Sequence, residues 1–154
     1  MISFPEFENE SMGGCQSFRY IPVIHTQSIA NAINSVITSL PVAKAGKSIL
    51  NGLSVMDMLS FLETHEESNA GSYHKTIIKG FVPKLTPAYI ALFNELKRLR
   101  HHLIVADNNG YERIAYNLKF QFNQDTKDNP AGANGTTFQF YGESIEPSPF
   151  LVIS

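Results

Sequence analysis

Between His101 and Ile145 apolar and polar positions alternate with a period of two, interrupted by runs of Asp, Asn, Gly and Pro. That pattern predicts three consecutive strands, over His102–Asp107, Tyr111–Phe122 and Thr136–Ile145. Asp107-Asn-Asn-Gly110 supplies the residues tolerant of left-handed backbone that a tight hairpin needs. In the middle strand Ile114, Tyr116, Leu118, Phe120 and Phe122 fall on one side, with Arg113, Ala115, Asn117, Lys119 and Gln121 on the other. One core face and one wet face imply an antiparallel sheet. The last strand carries Phe138 and Phe140 between Thr137, Gln139 and Tyr141, and Glu146-Pro-Ser-Pro149 ends it. Phe150–Ile153 is then an apolar tail expected to dock on the body of the protein.

Just upstream the period changes. Tyr89, Leu92, Phe93, Leu96 and Leu99 make one helical face, and Thr86-Pro87 places an N-cap and a first-turn proline before it. This predicts a helix over about 87–100. Tyr73–Val82 is β-branched and alternating, hence a strand. In Ser17–His25, Phe18, Tyr20 and Ile24 alternate with Arg19, Ile21 and Val23, so both faces carry apolar residues. Pro22 removes a ladder donor there, as at an edge or a bulge.

Two segments read two ways. In Thr26–Leu40, Ile29, Ile33, Val36, Ile37 and Leu40 recur at helical spacing among Asn, Ser and Thr, which are poor helix formers. In Leu53–Glu67, Met58, Phe61 and Leu62 suit a helix, whereas Val55, Leu59 and Phe61 suit a strand; a hairpin turning at Asn69-Ala-Gly71 is the preferred outcome. Val42–Gly52 reads as loop. Residues 1–14 set Phe4 and Phe7 among Glu and Pro and end in Met12-Gly-Gly14, which reads as a frayed, flexible terminus or as an arm ordered against a partner. The expected class is α+β: one domain over residues 1–154, mostly antiparallel β-sandwich or small barrel, flanked by one main helix.

Composition narrows the function classes. Hydrophobic residues are 43% of the chain and charged residues 17%, so the surface carries little charge and suits protein partners. With net charge −2 there is no electrostatic footprint for nucleic acid. The basic run Lys97–His102 is expected to complement the dipole at the helix C-terminus. Cys15 is the sole cysteine, which excludes an internal disulfide and a thiolate zinc site. No apolar run reaches the ~20 residues of a membrane span, and residues 1–10 lack a signal pattern, so synthesis in the cytoplasm is expected.

Candidate chemistry is sparse, and no cofactor is expected. Ala45-Gly-Lys-Ser48 echoes a phosphate loop, but Pro41 stands where the first glycine belongs, and no strand leads into it. His65-Glu66-Glu67 and His74 lack the H-E-x-x-H spacing of a helical zinc site, although a hairpin would bring the two histidines near each other. His101 and His102 are adjacent, and in a strand they point to opposite faces. Cys15 has no basic neighbour except Arg19. The Asn123–Gly135 loop is rich in oxygen donors without the acidic spacing of an EF-hand, and suits an interaction loop.

The ordered series Ile78-Lys-Gly-Phe-Val-Pro83, Leu103-Ile-Val-Ala-Asp-Asn-Asn-Gly110, Phe120-Gln-Phe-Asn-Gln-Asp-Thr126, Asn134-Gly135, Phe138-Gln-Phe-Tyr-Gly142 and Pro147-Ser-Pro-Phe150 covers roughly half the chain. It resembles small proteins encoded in prophages and phage-like islands of Bacteroidetes-type bacteria. Where that family often has Gly after the Arg-Ile pair, Ala115-Tyr116 stands here. The resemblance implies a non-enzymatic virion structural or assembly subunit of the tail or neck, with a tail-tube- or tail-terminator-like fold. It implies ring-forming copies of the chain and other virion proteins as partners, and the virion as destination. Phe4, Phe7, Lys127, Asp128, Asn129 and Asn134 are the expected assembly contacts. The alternatives are a small metal-binding domain or enzyme using His65, Glu66, Glu67 and His74, or a monomeric ligand-binding domain with its pocket between sheet and helix.

Overall fold

The computed structural model describes residues 15–52, 59–82, 87–125 and 135–153. The strands are β1 (Cys15–Pro22), β2 (Thr26–Ser28), β3 (Val36–Ile37), β4 (Val42–Ala43), β5 (Leu50–Asn51), β6 (Ser60–Ser68), β7 (Gly71–Val82), β8 (His101–Asp107), β9 (Glu112–Asp125), β10 (Gly135–Ser144) and β11 (Phe150–Leu151), with a helix α1 (Pro87–Leu96). The main sheet runs β5-β1-β8-β9-β10-β7-β6, with β11 and β3 attached to the first half of β9. Every pairing is antiparallel except β11 with β3. The protein is thus mostly antiparallel β-sheet with a single α-helix among the described residues, consistent with a β-sandwich.

The sheet closes on itself. β1 and β10 are three strand steps apart, ~14 Å if flat. The Phe18 ring nevertheless lies 5.8 Å from both Phe138 and Phe140. Phe93 of α1 caps the same cluster, 5.5 Å from Phe120 and 5.9 Å from Phe138. Gly80 permits part of this closure: it pairs with Phe138, and a Cβ there would fall 2.3 Å from the Phe138 ring. The ring lies over bare backbone, so no larger residue fits without moving it.

The strict alternation expected over Tyr111–Phe122 breaks at one residue. His101 pairs with Leu118, but Leu103 pairs with Ala115, so two steps along β8 match three along β9. The extra residue is a β-bulge, and Asn117 takes φ 58° within it. Parity therefore flips. Ala115, Leu118 and Phe120 face the main core, while Ile114 and Tyr116 face a second cluster with Ile37, Ile104 and Leu151. The expected common face of Ile114, Tyr116, Leu118, Phe120 and Phe122 does not exist. Nor is there a wet face along β8: His101 to Val105 are all buried, because β3 and β11 cover the outer side.

One open reading is settled and three other expectations change. Thr26–Leu40 contains no α-helix: Asn34 and Ser35 adopt φ 53° and 63°, and Ile33 and Val36 exchange two backbone hydrogen bonds across them. That is a two-residue hairpin turn of the primed type. Val42–Gly52 is mostly loop but contributes β4 and β5, the latter paired with β1. Ile24 leaves the strand and is exposed, since β1 ends at Pro22 and a 3₁₀ turn follows. The helix ends at Leu96, four residues early, with no basic residue in its last turn. His101, from the strand beyond, caps it: Nε2–H donates to the Leu96 carbonyl at 2.9 Å. The expected β6–β7 hairpin is present, turning at Asn69-Ala70, and the Phe150–Leu151 tail docks as β11. No helix among the described residues is long and apolar enough to cross a membrane.

Candidate functional site

The hairpin register sets His65 directly opposite His74, with ring centroids 5.1 Å apart. Glu63, on the same face of β6, lies 3.7 Å from Nδ1 of His74. Glu66 faces the other way and accepts a hydrogen bond from the Tyr73 hydroxyl at 2.7 Å. Among the described residues no group of three or more His, Cys, Asp and Glu is arranged to hold a metal ion. Glu63 is occupied otherwise: Arg113 donates to it at 3.1 Å and the Ser148 amide at 3.0 Å. Its side chain is nearly buried, at 9% exposure. The Glu63–Arg113 contact ties β6 to β9 across two intervening strands, so this carboxylate closes the open side of the sheet.

His101 and His102 do point to opposite faces. His101 meets the edges of Tyr20 and Phe140, and His102 packs against Tyr116. Nδ1 of His102 accepts the amide of Asn117 at 3.1 Å, which pins the bulge and keeps that nitrogen unprotonated. Burial pushes the His102 pKa down to about 4, with a smaller repulsion from His101. Burial lowers His101 as well, against the opposing pull of the Leu96 carbonyl. Both are neutral core groups. Burial likewise pushes Tyr116 up to about 12.

Ala45-Gly-Lys-Ser48 lies in an exposed turn with Gly46 at φ 77°, followed by β5 rather than by a helix, so the backbone does not form a phosphate loop. The space between sheet and helix amounts to about 50 Å³, lined by rings such as Phe18, Phe93 and Phe138. Ligand sites are larger, on the order of 300–1,000 Å³. A cleft of about 300 Å³ runs between the bulge, Thr76 and the Glu146–Pro149 segment, with Glu143, Ser144 and Glu146 in its lining.

The conspicuous surface features are apolar and backbone-based. Among the described residues β6 pairs with β7 alone, leaving the other edge of a nine-residue strand open, with Leu62 57% exposed beside it. Tyr111, Phe150, Val152 and Ile153 form an exposed apolar shelf around a concavity of about 510 Å³. Arg113 joins the two features, its guanidinium 4.8 Å from the Phe61 ring and 5.0 Å from Phe150. The shelf residues were legible only as an apolar tail, and Glu63 carried no local signal at all. Phe4, Phe7, Lys127, Asp128, Asn129 and Asn134 lie outside the described residues.

No protein-family model, no curated protein and no solved structure matches this chain.

Proposed function

We propose that this chain is a non-enzymatic structural subunit that works by associating with copies of itself, as a tail or neck component of a phage-type virion. The open nine-residue edge of β6 carries the self-association. An unpaired edge presents a row of N–H and C=O groups that a second strand satisfies directly. Here the edge is flanked by Leu62 and runs, through Arg113, into the apolar shelf. The virion context and a tail-tube- or tail-terminator-like assembly are supported by the ordered motifs of residues 73–150 and are compatible with an antiparallel sheet carrying one helix.

Light scattering across a concentration series, with negative-stain images of the most concentrated sample, tests this. Mass rising to a fixed multiple of the 17.1 kDa chain, with closed rings or stacked tubes in the images, is the expected result. A strict monomer up to the solubility limit overturns it.

A further inference from the structure

The two halves of β6 differ in chemistry. Over the first half stands Arg113, its guanidinium 4.8 Å from the Phe61 ring and its Nη2 donating to Glu63 at 3.1 Å. Nε and Nη2 are engaged by Ser148 and Glu63, whereas among the described residues Nη1 has no partner, and the side chain keeps 27% exposure. On the opposite face of the same half Leu62 is 57% exposed. The second half carries His65, Glu66 and Glu67, with no Lys or Arg.

A nine-residue edge needs a strand of comparable length to pair with. At the far end of the sheet β5 has two residues and covers Arg19 and Tyr20 of β1. Among the described residues β6 therefore finds its equal only in the β6 of a second copy. Two copies that pair the same strand antiparallel are related by a two-fold axis perpendicular to the sheet. Such an axis keeps each face on its own side, so residues of like parity oppose each other and one residue lies opposite itself.

The possible centres differ in what they set face to face. Glu63 at the centre opposes two Glu63 carboxylates, and His65 at the centre opposes Glu63 to Glu67; like charges directly opposite destabilise a pair of strands. Thr64 at the centre turns the exposed Leu62 against Glu66, a carboxylate that accepts the Tyr73 hydroxyl. Leu62 at the centre covers that side chain with its own mate and sets Ser60 opposite Thr64. It also brings Glu63 of one copy opposite Phe61 of the other, where Arg113 lies on the ring. Each guanidinium then faces two carboxylates, its own and its partner's, while Glu66 and Glu67 oppose nothing in the partner's β6.

We propose that two copies join β6 to β6 antiparallel about a two-fold axis at Leu62, with Arg113 of each copy beside Glu63 of the other. This rests on self-association and fixes its first contact: rings or tubes are built from such pairs rather than from single copies.

The test puts a nitroxide label on one cysteine at a time, Ser60→Cys, Thr64→Cys or Glu67→Cys, all at exposed positions, in the full chain with Cys15→Ser. A strand rises ~3.3 Å per residue, so spin–spin separations in the assembled protein should be equal at 60 and 64, about 13 Å, and about 33 Å at 67. The label at 67 lies outside the ladder and reports even where one at 60 or 64 loosens the contact. A centre at Thr64 gives about 26 Å at 60 and about 20 Å at 67 instead. That pattern, or any other in which 60 and 64 differ, overturns the register. Assembled protein with no defined separation at 67 overturns pairing through β6. A monomer at every concentration, read by light scattering of the unlabelled Cys15→Ser chain, overturns the self-association beneath both, so the failures are told apart by mass and by distance.

Discussion

Two single residues decide how the sheet closes. At Gly80 the Phe138 ring occupies the place of a side chain, and a Cβ would sit 2.3 Å from it. Gly80→Val therefore forces the ring out of a cluster it shares with Phe18, Phe93, Phe120 and Phe140, at a cost of roughly 1–3 kcal/mol. The midpoint of urea unfolding should fall by the matching amount; an unchanged midpoint would mean that the ring repacks freely. At Glu63 the question is electrostatic. Its carboxylate serves Arg113, the Ser148 amide and His74 from a nearly buried position. Glu63→Gln keeps the shape but removes the charge and turns one acceptor into a donor. A loss of about 1–3 kcal/mol is expected, smaller when Arg113→Met is already present, because the two groups are coupled. The same urea titration on the double-mutant cycle reads the coupling. Glu63 was illegible in sequence for a physical reason: its partners lie 50 and 85 residues away. His65 and His74 were legible as neighbours, since a hairpin register is local.

At the scale of the element, β9 and its bulge hold most of what the pattern missed. Alternation reports the face of each residue only while one residue opposes one, and Asn117 breaks that count. Hints were present: an asparagine, tolerant of left-handed backbone, in mid-strand, and an unbroken apolar run Leu103-Ile-Val-Ala beside it, the mark of two-sided burial. Helix and strand positions in residues 73–145 were otherwise readable to within a few residues, because propensity and burial agree there. Thr26–Leu40 was not, since two turn residues outweighed its helical spacing. The bulge also makes the fold sensitive to acid. His102 folds neutral with its pKa near 4, against 6.5 in the unfolded chain, and His101 is lowered in the same direction. Below pH 6.5 the unfolded state takes up protons that the folded state refuses, so stability is full at neutral pH and falls as pH drops toward 4. Each such histidine contributes a slope of at most about 1.4 kcal/mol per pH unit. Urea midpoints at pH 7.5, 6 and 5 should decline accordingly, and His102→Gln, which retains an acceptor for the Asn117 amide, should flatten part of the decline. An equal decline in that variant would place the acid sensitivity elsewhere.

On the scale of the whole molecule, a chain this weakly charged leaves an open strand edge and an apolar shelf side by side, joined by one arginine lying against a ring on each. The two features call for different occupants. The edge asks for backbone and the shelf for side chains, so a change at the edge should act on association and not on the fold. Leu62→Lys introduces a charge beside the β6 edge without touching the core, since Leu62 is 57% exposed, and should leave the monomer's thermal midpoint nearly unchanged. Pairing another strand against it would then bury a lysine or splay the edge, and association should weaken at least tenfold, about 1.4 kcal/mol. Sedimentation velocity over a concentration series reads this directly. Assembly indifferent to Leu62→Lys would shift the contact away from β6.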